Sequence, residues 1–338
     1  MNEITTVGID LAKQVFSIHA VNKRGHVVMQ RTVRRAQLLE VIANIPPCLI
    51  GMEACSGAHE WGRQFEAMGH KVRLMAPKFI IPYRKSGKND GNDAEAICEA
   101  VSRPNMRFVP LKSVEQQSVL VLHRIRQGFV EERTATINRI RGLLSEFGRV
   151  LPQRSKFVRR ELTAHLDPLP IPVRVALEEL QTHVRLLDTR IVEYSDRIEE
   201  HARADERAQR ALALRGIGPI TASAAVATVG NAHEFKNGRQ FAAWIGLVPR
   251  QYSTGGKVRL GHITAKGDPY LRTLLIMGAR SVLQMASRHT DRRSRWALSV
   301  KQRRGYHRAC VAIANKNARI LWALLSHDTA LRQEVTAA

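Results

Sequence analysis

ITTVGID (4–10), VFSIHAVN (15–22) and HVVMQRTV (26–33) open the chain as three short runs rich in β-branched residues. A Lys-Arg-Gly triplet at 23–25 punctuates the second and third, so the runs predict three antiparallel strands in sequence order. Outward from this meander, a helix is expected over RAQLLEVIANI (35–45) and a buried strand over the apolar run CLIGME (48–53). A helix AHEWGRQFEAMG (58–69), a strand KVRLMAP (71–77), a helix DAEAICEAVS (93–102) and a short strand RFVP (107–110) close the unit.

A meander followed by β–α–β–α–β order is the pattern of the ribonuclease H-like fold, which does not by itself assign chemistry. The acids bear on that. Asp10 ends one apolar strand, Glu53 ends a second, and Asp90 and Asp93 stand three apart where a helix begins. Taken singly, each has an ordinary explanation: a strand-end aspartate caps a turn, and an acid in a first helical turn caps it and faces its dipole. Taken together, in this order and after these elements, they read as a carboxylate site for Mg²⁺ or Mn²⁺. Four converging carboxylates repel one another and hold protons more tightly until a divalent cation enters. Such ions activate an attacking oxygen and stabilise a leaving one in phosphodiester chemistry.

Composition selects the partner. The 338 residues carry 53 Lys and Arg against 30 acids, a net charge of +23, while 44% apolar residues are enough to bury proper cores. That imbalance favours nucleic acid or an anionic membrane surface. Residues 251–320 alone hold fifteen Lys and Arg with two acids, Asp268 and Asp291, so phosphate backbone is expected there. Arg292, Arg293, Arg295, Arg303 and Arg304 are its candidate contacts, together with Lys266, although a solvated basic face explains any one of them. No apolar run approaches the ~18 residues of a membrane span, and no signal peptide opens the chain. Cys48, Cys55, Cys98 and Cys310 form no metal-ligand spacing and read as buried thiols of a reducing compartment. A cytoplasmic protein without membrane association is expected.

The middle of the chain reads differently. Ile137, Ile140, Leu144 and Phe147 repeat at helical spacing, and so do Leu177, Leu180, Val184, Leu187, Ile191, Tyr194 and Ile198. This periodicity predicts two long helices in coiled-coil packing, either within one chain or across a dimer. The four prolines of residues 151–172 mark a turn or linker between them. Further on, LALRGIGPITASAAVATVG (212–230) has a helix–hairpin–helix look, with Gly216 and Gly218 flanking Ile217 in a tight turn. Such a turn docks a phosphate on backbone N–H groups, or is a plain αα turn with a C-cap glycine. In the polar loop RQYSTGGKVRL (250–260), Ser253 and Thr254 offer hydroxyl nucleophiles beside Arg250, Lys257 and Arg259, cations suited to a phosphodiester. As an ordinary loop, it needs Gly255 and Gly256 only for positive φ.

Six blocks in order carry a family resemblance: VGIDLAK (7–13), IGMEACSGAHEW (50–61), KNDGNDAEAI (88–97), GIGPITA (216–222), FAAWIGLVPRQYSTGGK (241–257) and ITAKGDPYLRTLLI (263–276). They resemble the DEDD-motif insertion-sequence transposases, a group that includes the Piv DNA invertases and the bridge-RNA-guided recombinases. The resemblance implies an α/β N-terminal domain of RuvC-like ribonuclease H fold over 1–112, a coiled-coil arm over 113–205, and a mainly α C-terminal transposase domain over 206–338. It also implies a tetrad of Asp10, Glu53, Asp90 and Asp93 and a nucleophilic serine within YSTGG. Relatives that read Ser-Gly align Thr254 with that serine. Those closest to PRQYSTGGK favour Ser253, preferred also because its hydroxyl is less hindered than that of a β-branched residue. Further implications are a composite centre between subunits of a dimer or tetramer, a covalent phosphoserine, and a non-coding guide RNA that pairs with donor and target DNA, as in other RNA-guided systems.

Two rival readings use the same residues. A metal-dependent endonuclease or junction resolvase works with the tetrad and water, without a covalent intermediate. A non-catalytic nucleic-acid-binding protein keeps the acids for structure alone.

Overall fold

A computed structural model of the chain describes residues 3–85, 90–152 and 155–327. It divides into two compact units, Met1–Val114 and Glu115–Ala338. The first is built on β1 (Ile4–Asp10), β2 (Val15–Asn22) and β3 (Val27–Arg34), then α1 (Leu38–Ala43), β4 (Leu49–Glu53), α2 (Ala58–Ala67), β5 (Lys71–Met75), the single turn α3 (Pro77–Ile80), α4 (Asp90–Val101) and β6 (Phe108–Val109). The meander pairs antiparallel as expected, β4 joins β1 in parallel, and the sheet order is β3-β2-β1-β4-β5-β6.

Strand alternation assigns the two faces of this sheet. Val7, Ile9, Phe16, Ile18, Ile50 and Met52 point to one, where Leu38, Ile42, Trp61 and Phe65 cover them. Each such side chain, fully buried, contributes about 1.5–3 kcal/mol. The opposite face takes α4, whose Ala96, Ile97, Ala100 and Val101 pack with Met75 and Ile80.

The second unit takes in α5 (Val114–Glu146) from its second residue, then α6 (Ser155–Glu161) and α7 (Ile171–Ala204). Along α5 the partners on α7 run backwards: Arg126 Nε donates to Ser195 Oγ at 2.8 Å, while Arg133 pairs with Asp188 at 2.8 Å. The rings of Phe129 and Tyr194 meet at 5.6 Å. The two long helices therefore pair antiparallel within one chain. On α7, Leu177, Val184, Leu187, Ile191 and Ile198 are buried at the expected spacing.

Two expectations need correction here. Phe147 does not extend the stripe: α5 stops at Glu146, Gly148 turns left-handed at φ 69°, and the Phe147 ring is left 43% exposed. Nor are residues 151–172 a mere linker. Leu151, Val158, Leu162, Leu166 and Leu169 are buried against Ile140, Leu144 and Leu177, closing the end of the arm. The prolines do not oppose this, because Pro170 caps α7 and Pro172 lies in its first turn, where no N–H is needed.

The remainder is α8 (Glu206–Leu212), α9 (Pro219–Val229), α10 (Gly238–Ile245), the strands β7 (Pro249–Gln251) and β8 (Leu260–Ile263), α11 (Pro269–Met285), α12 (Arg292–Arg304) and α13 (Tyr306–Ser326). Every residue from Thr221 to Val229 is buried, so α9 is the centre of this core. His123 of α5 joins it: Nδ1 lies 3.0 Å from the Tyr270 hydroxyl and Nε2 lies 3.1 Å from Ser223 Oγ. Burial, then Arg126 and His201, lower its pKa to about 4, so the ring is neutral.

Candidate active site

A glycine stands two residues before each strand-end acid, in Gly8-Ile9-Asp10 and Gly51-Met52-Glu53. By alternation, each glycine shares a face with its acid, and that face carries α4. A Cβ on Gly8 would come within 2.3 Å of the Ala94 carbonyl oxygen and 2.4 Å of the Cys98 nitrogen. One on Gly51 would come within 2.7 Å of Val101 Cβ. Only glycine admits the helix at this distance. Ala94 thus lies over Gly8, and the Cys98 thiol is 3.8 Å from the Thr6 carbonyl oxygen, so α4 runs opposite to β1. Its N-terminus, with Asp90 and Asp93, is thereby carried toward Asp10. Ile9 pairs with Met52 in the parallel register, which sets Asp10 and Glu53 side by side one step further on.

The charge bears this out. Burial, then Asp93, Asp90 and Glu53, raise the Asp10 pKa to about 6, and Arg84 opposes them. Glu53 is raised by burial and by Asp93, against Arg84. Burial, then Glu53 and Asp10, also push up the Cys55 thiol. The structure thus brings the four expected acids to one end of one sheet. They are not closed into a ligand shell: among the described residues, no three His, Cys, Asp or Glu side chains form a group that could hold a metal ion. Asp93 is instead engaged by Arg84, whose Nε lies 2.5 Å from its Oδ1 without hydrogen-bond alignment. Sequence reasoning missed Arg84 and both glycines. The repeated glycine–apolar–acid pattern at two strand ends was the available signal for the glycines; a lone arginine after IPY carried none.

The expected polar loop around Ser253 is a β-hairpin. β7 and β8 pair antiparallel, Tyr252 N–H donates to the Arg259 carbonyl at 2.8 Å, and Thr254 bridges to Lys257. Gly255 and Gly256, at φ 55° and 75°, form the two-residue turn whose twist suits paired strands. Residues 251–262 are all exposed, and so is Arg250. Ser253 Oγ accepts from Gln251 Nε2 at 2.9 Å and from Arg259 N–H at 3.4 Å. Hydroxyls and the cations Arg250, Lys257 and Arg259 therefore share one exposed element. The tetrad belongs to the first unit and this hairpin to the second.

Among the other expected nucleic-acid contacts, Lys266, Arg292, Arg295, Arg303 and Arg304 are exposed. Arg293 is not. It is 9% exposed, and its guanidinium bonds to Asn317 Oδ1 and to the Arg215 carbonyl. An arginine in the first turn of α12 faces the core because Ser294 and Ala297 bury that side of the helix. The glycines of the hairpin-like turn also separate. Gly216 has φ 88°, and a Cβ there would meet the Gly278 carbonyl oxygen at 2.9 Å, so close packing on α11 requires it. Gly218, the N-cap of α9, is extended and exposed, with open space over its Cα.

Two family models match the chain. The model of the transposase family IS116/IS110/IS902 matches residues 208–295, and that of the DEDD transposase domain of the IS110 type matches residues 7–148. The transposase for insertion sequence element IS1111A of Coxiella burnetii is 43% identical over 336 residues, covering 98% of this chain and 92% of its own. The transposase for IS1328 of Yersinia enterocolitica is 40% identical, over 97% and 99% of the two chains. A Pseudomonas aeruginosa protein named a probable family 20 transposase is 51% identical, over 97% and 99%. The chain belongs to the IS110/IS116/IS902 family of insertion-sequence transposases. No helix among the described residues is long and apolar enough to cross a membrane.

Proposed function

We propose that this transposase cuts and rejoins DNA through two groups of residues: the strand-end carboxylates of a RuvC-like, ribonuclease H-type domain and the serine of the exposed hairpin. The convergence of Asp10, Glu53, Asp90 and Asp93, with the Asp10 proton held up to about 6, is the observation that carries this reading. A divalent cation fits the donor set, since all four are hard oxygen donors whose mutual repulsion a cation relieves. Asp10, Glu53, Asp90 and Asp93 would hold Mg²⁺ or Mn²⁺, which supplies charge neutralisation at the scissile phosphate when bound. Arg84 answers part of the same negative charge through Asp93.

On the hairpin, Ser253 attacks phosphorus through Oγ. A P–O bond to serine forms as the bond to one DNA oxygen breaks, and the released DNA hydroxyl takes a proton. A hydroxyl of the recipient strand then displaces the serine, so the number of phosphodiester bonds is conserved. Arg250, Lys257 and Arg259 bind the phosphate and offset its developing charge. Donor and target DNA are the substrates. The family resemblance adds a non-coding guide RNA and a dimer or tetramer in which the acids of one subunit serve the serine of another. The wide surplus of positive charge supports a polyanionic partner.

The test is a covalent protein–DNA adduct trapped with element-end DNA. It is expected to vanish in Ser253→Ala and to persist in Thr254→Ala. The reverse pattern moves the nucleophile to Thr254. Strand exchange unaffected by either substitution removes the hairpin hydroxyls from the chemistry and overturns the serine assignment.

A further inference from the structure

A second feature of the C-terminal unit is unused by that chemistry. A cleft of about 1370 Å³ opens among α10, α12, α13 and the base of the β7–β8 hairpin. It exceeds the roughly 300–1,000 Å³ of pockets that enclose small ligands, and so suits an extended one. Arg239, Arg308, Lys316 and Arg319 line it, and no carboxylate does among the described residues. Trp296 and Trp322 are also in its wall. The Trp322 indole is fixed by its N–H, which donates to the Ala232 carbonyl at 3.0 Å. The Lys316 ammonium lies 4.6 Å from the centre of the Trp296 ring, so one cation and one aromatic face are already matched. Gly261, His262 and Ile263 of β8, one strand of the serine-bearing hairpin, form part of its wall.

Aromatic rings and cations together, in a groove lined by no carboxylate among the described residues, are what single strands require. Every base has a π-face to stack, and every linkage has a phosphate to neutralise. A duplex hides its base faces and has no use for the tryptophans. We propose that this cleft seats an unpaired stretch of nucleic acid, with bases against Trp296 and Trp322 and phosphates on Arg239, Arg308, Lys316 and Arg319. The strand then runs beside β8, toward the hairpin that carries Ser253. This rests on the reading of the chain as an enzyme of nucleic acid, and deepens it by naming the form of strand held.

The experiment titrates the full-length protein with oligothymidylate, oligouridylate and a duplex, following binding by anisotropy and tryptophan emission. Arg308→Glu combined with Arg319→Glu, both exposed positions, is expected to weaken single-strand binding about tenfold or more while changing duplex binding far less. Binding is expected to quench emission in the wild type and less in Trp296→Phe. Preference for oligouridylate identifies an RNA strand as the occupant, and equal or greater affinity for oligothymidylate identifies a DNA strand; either supports the cleft. Unchanged single-strand affinity in the charge-reversed protein, an equal loss for duplex, or quenching untouched by Trp296→Phe overturns it. The catalytic reading fails separately, if Asp10→Asn still cuts DNA, and that result leaves these titrations intact.

Discussion

The two units treat charge in opposite ways. The first gathers carboxylates at the ends of two parallel strands, where burial and neighbouring acids raise the Asp10 pKa to about 6. The second spreads arginines over helices, and pairs or buries some of them, as with Arg215 on Asp291 and Arg293 on Asn317. Acids gathered at one place repel one another, whereas basic residues spread over helices are readily paired or solvated. The proposed chemistry rests on the clustered acids, while the surplus of basic residues accords with the DNA on which transposases act.

The largest expected effect breaks the acidic side of this contrast. Asp10→Asn is expected to lower DNA strand cleavage by about 10²–10³-fold or more, measured in single-turnover assays. Wild-type cleavage by that variant would leave the acids a structural role only. Next, Gly8→Val drives a branched side chain into the backbone of α4 and is expected to destabilise the first unit by about 3 kcal/mol or more, read by thermal or denaturant unfolding. Cleavage should fall with it, since the helix carries Asp90 and Asp93.

Arg293→Ala then sharpens the basic side. It is expected to lower stability by about 2–3 kcal/mol through its lost buried hydrogen bonds, without altering how DNA affinity falls with salt. Arg292→Ala and Arg295→Ala, on the exposed face, should do the reverse and reduce the salt slope by about one each.

Titration sets the units against each other. His123 has a folded pKa of about 4, below its ordinary 6.5. Its contribution is therefore full above 6.5 and is lost as pH falls toward 4, by up to about 3 kcal/mol relative to His123→Gln. Asp10 has the opposite sign, because its folded pKa of about 6 lies above the ordinary value. Asp10→Asn should match the wild type in stability near pH 4 and exceed it above pH 6, by about 1–2 kcal/mol after allowance for solvent screening. Unfolding curves of both variants across that range check the two signs. Smallest is the hairpin turn: Gly255→Ala or Gly256→Ala strains a positive φ and should cost about 1 kcal/mol, seen as reduced hydrogen-exchange protection at Tyr252.

Strands and helices of the first unit were readable because each face shows its burial in local periodicity. The seam of α7 was readable for the same reason. Where reading went astray, a contact between distant segments decided. Residues 151–172 look like a proline-rich linker until Leu162 and Leu166 find Leu144 and Leu177. STGG looks like any loop until Tyr252 N–H finds the Arg259 carbonyl. Arg293 looks like its exposed neighbours until Asn317, 24 residues away, takes its guanidinium.

Residue order alone determined which carboxylates end strands, how many strands precede them, and that a polyanion is the partner, since alternation, chain order and net charge are local or additive properties. Only the tertiary structure decided that α4 lies over Gly8 and Gly51 closely enough to bring its acids to Asp10, that Arg84 meets Asp93, and that two tryptophans share a cleft with four cations. Those outcomes depend on steric fit and Coulomb interaction between segments far apart in the chain, which no local pattern records.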